Sequence, residues 1–155
     1  MTRGQRLGRA IIIIAAWFGA ARSQAAENAQ MGGQQVLDMI AGMSFKSTFS
    51  QLGASTIPTG PISSWTADQQ RVFPTELAQV CAAFWTFAHD TPGTKVLPAS
   101  LSDVDEGELG LDVCLAGHMP ADWPGRAARL QSATAILARA EKAGSSLHLP
   151  SDMRP

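Results

Sequence analysis

The sequence predicts an all-α protein: a small helical bundle of four or five helices with one disulfide, after a cleaved signal peptide. Three observations carry that prediction. Apolar residues recur at helical spacing in each long segment, most clearly between Pro74 and Ala88. Prolines and glycines fall between those segments, where they break regular structure. Basic residues and a short apolar run open the chain, and two cysteines follow much later.

The opening segment reads as an export signal. Arg3, Arg6 and Arg9 precede the 12-residue apolar run from Ala10 to Ala21, and Ser23-Gln24-Ala25 offers a small-x-small cleavage site. A spanning helix needs roughly 20 apolar residues, so this run predicts a cleaved signal over residues 1–25 rather than a stable membrane span. The expected address is periplasmic or secreted.

Residues 26–63 are expected to form an N-terminal helical segment and a loop. From Gln34 the apolar pattern turns helical, with Val36, Ile40 and Met43 on one line and Leu37, Ala41, Phe45, Phe49 and Leu52 on the next. Gly42 falls within that pattern and costs a helix about 1 kcal/mol relative to alanine, which leaves either one helix ending at Gly53 or two shorter ones. Pro58, Gly60 and Pro61 then make a loop.

Residues 64–144 are expected to form the disulfide-linked bundle. Thr66 and Gln69 have the spacing of a capping box, with Trp65 placed to staple the helix start. Pro74 either kinks this helix or opens the next one. The stretch from Leu77 to Ala88 is apolar on nearly its whole circumference, which places it at the centre of the bundle. Ser102 can cap a following helix whose first turn is acidic. Leu109, Leu111 and Val113 also alternate as a strand would, but Val104, Leu111 and Leu115 fit a helical face, and helix is chosen to the stop at Gly117. The last helix is expected to take Asp122 as its cap. Leu130, Ala133, Ile136, Leu137 and Ala140 form its buried stripe, and Gly144 ends it. Residues 145–155 are expected to be a flexible tail.

Charge and cysteines narrow the function. Four of the twelve Lys and Arg residues lie in the signal segment, so the exported chain would carry eight against thirteen acidic residues, a net charge of −5. That is no nucleic-acid footprint, which needs a basic stripe with stacking aromatics. In an oxidising compartment Cys81 and Cys114 are expected to form one disulfide. A Cys2His2 metal set of Cys81, His89, Cys114 and His118 is the weaker reading, because structural zinc sites hold their cysteines closer in sequence. The chain has no Gly-x-Ser-x-Gly elbow, no Ser-x-x-Lys, no His-Glu-x-x-His and no phosphate-binding loop, so no catalysis and no cofactor are expected.

Asp103, Asp105, Glu106, Glu108 and Asp112 crowd into ten residues. They suit the start of a helix dipole, and they titrate together in acid. With carboxylates neutral, the exported chain's eight Lys and Arg and three His would carry +11, a self-repulsion able to open a small bundle.

Three stretches carry a family resemblance. Ser64-Trp65-Thr66, then Phe84-Trp85 with His89-Asp90-Thr91, then Val113-Cys114 with Pro120 resemble the periplasmic acid-stress chaperones of the HdeA/HdeB type. The first cysteine departs from the family pattern: Ala67 stands where the family has it, and Cys81 lies some four turns further on. The resemblance implies binding without catalysis. It implies a homodimer that hides apolar surface at neutral pH, and acid opening that presents Val80, Phe84, Trp85 and Phe87 to unfolding clients. Alternatives are an accessory subunit of a larger periplasmic or membrane complex, and a small inhibitor or immunity-type protein. In each the partners are other proteins.

Overall fold

Among the described residues four helices follow one another in chain order: α1 (Gly33–Gly42), α2 (Ala67–His89), α3 (Asp103–His118) and α4 (Arg126–Lys142). Short 3-10 turns lie at Ile62–Ser64 and Ser151–Met153. The computed structural model describes residues 32–45, 57–89 and 101–154. The expected signal peptide, Phe49, Leu52 and Gly53 lie outside the described residues, as do the side chains of Phe87, His89 and Asp103.

The helix ends follow local chemistry. α1 ends at Gly42, so the single helix to Gly53 does not form; the second of the two shorter helices falls mostly outside the described residues. In α2 the Thr66 hydroxyl accepts from the Gln69 N–H at 3.1 Å and Gln69 Oε1 accepts from the Thr66 N–H at 2.9 Å, a complete capping box. Trp65 packs edge-on against Phe73, with centroids 5.4 Å apart. Pro74 lies inside α2, which runs through it. The hydrogen bond that its missing N–H would give to Gln70 is lost without breaking the helix. Ser102 caps α3 through its hydroxyl and the Asp105 N–H. Gly144 takes φ +92°, and the Ser145 and Gly144 N–H groups bond the Ala140 and Glu141 carbonyls, a Schellman stop for α4.

Several expectations change. Gly117 does not stop α3, which continues to His118. Asp122 does not cap α4. Its Oδ1 accepts from the Ile62 N–H at 2.8 Å and ties the two loops together, while α4 starts after Gly125. The tail is not loose over its described length: Leu149 and Met153 are buried, and the Gln34 side-chain amide pairs with both the N–H and the carbonyl of His148, each at 3.0 Å.

The largest correction concerns the centre. α2 leaves Glu76, Gln79, Ala82 and Thr86 exposed and buries only one flank. The hub is α3, which packs on each of the other three helices. Leu109, Gly110 and the run from Asp112 to Ala116 are all buried, so α3 has cover on nearly every side.

Candidate functional site

Three faces of α3 each receive one helix, and each contact has its own chemistry. Toward α2, Cys81 and Cys114 are bonded, with Cα atoms 5.8 Å apart and both residues fully buried. One turn away, the Trp85 indole packs directly against Gly110: a Cβ there would come within 2.1 Å of the ring. Cys81 pairs with Cys114 and Trp85 with Gly110, so the two helices run antiparallel. With both cysteines in the disulfide, the Cys2His2 alternative has no thiolates left to bind metal.

Toward α1, His118 sits where two helices end. Its Nε2–H donates to the Ile40 carbonyl at 2.8 Å, filling an acceptor that the end of α1 leaves open. Its ring lies 4.4 Å from Phe45, which in turn meets Phe84 edge-on at 6.0 Å. Burial lowers the His118 pKa below 6.5, and the Ile40 hydrogen bond works against that shift. Next to it Gly117 leaves room for Met153 and the Ala41 backbone.

Toward α4, the contact is charged. Helix α3 carries five acidic residues and no Lys or Arg, whereas α4 carries four basic residues and one acidic. Asp105, Glu108 and Asp112 stand at i, i+3 and i+7, and so share one stripe. Arg139 Nη2 meets Asp105 at 2.7 Å, and Arg129 Nη1 bridges Glu108 at 3.2 Å and Asp112 at 3.0 Å. Arg129, Ser132, Ile136 and Arg139 form the opposing stripe at i, i+3, i+7 and i+10. Glu106 is half-buried and lies off the acidic stripe.

Asp112 differs from its neighbours. It is the one fully buried charged residue among the described residues. Oδ1 takes the Arg129 hydrogen bond, while Oδ2 is buried with none. Burial raises its pKa above 3.8. Ser132 and Arg129 favour the charge, and Glu108 opposes it.

Three of the four residues expected to bind clients are in the core. Val80, Phe84 and Trp85 are each 5% exposed or less and face α3 or its neighbours. Sequence reasoning found the acidic stripe and missed its partners. The signal was present, since Arg129 and Arg139 stand on one face of the next helix. It also missed His118 as a joint, because Gly117 suggested that the helix had already ended.

Among the described residues no helix is long and apolar enough to cross a membrane, and no cluster of three or more His, Cys, Asp or Glu could hold a metal. No protein-family model, curated protein or solved structure matches the chain.

Proposed function

We propose that this is a small exported binding protein that acts as an acid-responsive chaperone, with the α3–α4 seam as its pH-sensitive closure. The observation that carries the reading is the pairing of an acidic stripe with a basic one: three of the five clustered carboxylates meet Arg129 or Arg139. Strong acid neutralises the carboxylates and leaves Arg126, Arg129, Arg139 and Lys142 charged on one helix. Each exposed pair contributes only about 0–1 kcal/mol, so the seam weakens by loss of the set and by the repulsion that follows. The resemblance to acid-stress chaperones, with its export signal and single disulfide, points the same way.

The fold alters the order in which apolar surface would open. Val80, Phe84 and Trp85 lie under α3, and the disulfide holds α2 and α3 together. Release of α4 comes first and bares its own stripe, Ala133, Ile136, Leu137 and Ala140, with the α3 face beneath it. That stripe is the first client surface, and the α2 aromatics follow only on wider opening.

A hydrophobic dye titrated against pH tests the seam. The double substitution Asp105→Asn with Glu108→Gln imitates protonation of the two exposed or half-exposed carboxylates. It is expected to bind dye nearer neutral pH than the parent does. A variant that matches the parent across the range would remove the seam as the closure.

A further inference from the structure

The outer side of α4, away from the seam, forms one wall of an open groove of about 540 Å³; the C-terminal segment forms the other. Leu130, Ala135 and Ala138 supply its apolar floor from α4, and Leu149 closes it from the tail. Arg126 and Arg154 also line it, and no acidic residue does. Among the described residues neither arginine has a carboxylate partner. Arg154 spends one N–H on the Leu149 carbonyl, at 3.2 Å, and Arg126 forms no ion pair among the described residues.

We propose that this groove docks an amphipathic helix of a partner protein whose C-terminal end is acidic. Three features select that occupant. The floor runs from Arg126 to Ala138 on one helix face, about 18 Å at 1.5 Å per residue, which matches three turns of a second helix. The alanines let a backbone approach closely, and the groove is too open to enclose a small molecule as ligand pockets do. Both lining charges are positive and Arg126 stands at the amino end of α4. An antiparallel partner therefore brings its negative dipole end and its acidic side chains to the arginines. A second copy packed antiparallel on the same face would bring Arg126 to the last turn of the other α4, where Arg139 and Lys142 outnumber Glu141, so a different partner is indicated. The site works with the seam closed and does not depend on acid opening.

The test uses the purified protein at neutral pH and low ionic strength, with labelled peptides of about 14 residues read by fluorescence anisotropy. The first carries leucines at i, i+4 and i+7 and glutamates at its C-terminal end. The second has lysines in place of the glutamates. The first peptide is expected to bind and the second to bind at least about tenfold more weakly, as two rim ion pairs would produce. The double substitution Arg126→Glu and Arg154→Glu should reverse that preference. Ala135→Glu, at an exposed position, should abolish binding with the melting temperature unchanged. Equal binding of the two peptides, or no effect of the arginine reversal, overturns the proposal. So does a groove that binds sodium dodecanoate but neither peptide, which would make it a site for an anionic amphiphile.

Discussion

His118 and Asp112 respond to acid in opposite directions. Burial holds His118 below its ordinary 6.5, so under that value the unfolded chain takes up the proton first and stability falls with pH. Burial holds Asp112 above its ordinary 3.8, so just above that value the folded chain takes up the proton first and stability rises as pH falls. His118→Gln, which can still donate to Ile40, is expected to flatten the stability profile below pH 6.5; urea midpoints measured at a series of pH values check this. Arg129→Met strands the buried Asp112 charge. It should cost about 2–4 kcal/mol at neutral pH and clearly less once Asp112 is protonated. A cost that does not vary with pH would show that the pair contributes packing alone. Neither residue's burial was legible in the sequence. An aspartate in an acidic run reads as solvated, and a histidine after a glycine reads as loop.

At the scale of elements, local signals were read well wherever the chemistry was local. The capping box at Thr66 and Gln69, the Ser102 cap, the Gly144 stop and the α4 stripe all depend on residues within one or two turns; of that stripe only Leu130 is not buried, lining the outer groove instead. What the sequence did not disclose depended on distant partners. Pro74 stays inside α2 because packing of Phe73, Leu77 and Val80 outweighs one lost backbone bond. Helix α3 reads weakly because cover on several faces, including a buried aspartate, leaves no clean apolar stripe. Asp122 reads as a cap because its bond to Ile62 spans 60 positions. The close approach of α2 and α3 at Gly110 is testable in the same terms. Gly110→Ala drives a methyl into the Trp85 ring, and should cost about 1–3 kcal/mol in chemical denaturation, with a shifted tryptophan emission.

For the whole molecule, one helix joins three others by three different bonds: a disulfide to α2, a histidine joint to α1 and a charged seam to α4. They rest on different chemistry, and the proposed acid opening would therefore run in stages. The disulfide spans 33 positions, and closing such a loop stabilises the folded chain by about 3.7 kcal/mol through unfolded-state entropy. Cys81→Ala with Cys114→Ala should lose an amount of that order in urea unfolding, while leaving the midpoint of acid-induced α4 release nearly in place. The all-α bundle and its cysteine pairing were legible because periodicity and the even cysteine count bear on them directly. The hub was not, because it follows from how the helices meet.

The most direct test is suppression of aggregation of an acid-denatured client by the purified protein, followed from neutral pH down to about pH 2.5. Protection that is absent at neutral pH and rises over the same range in which α4 separates from α3 is the expected result. An assay in which the client aggregates equally with and without the protein at every pH would contradict the account.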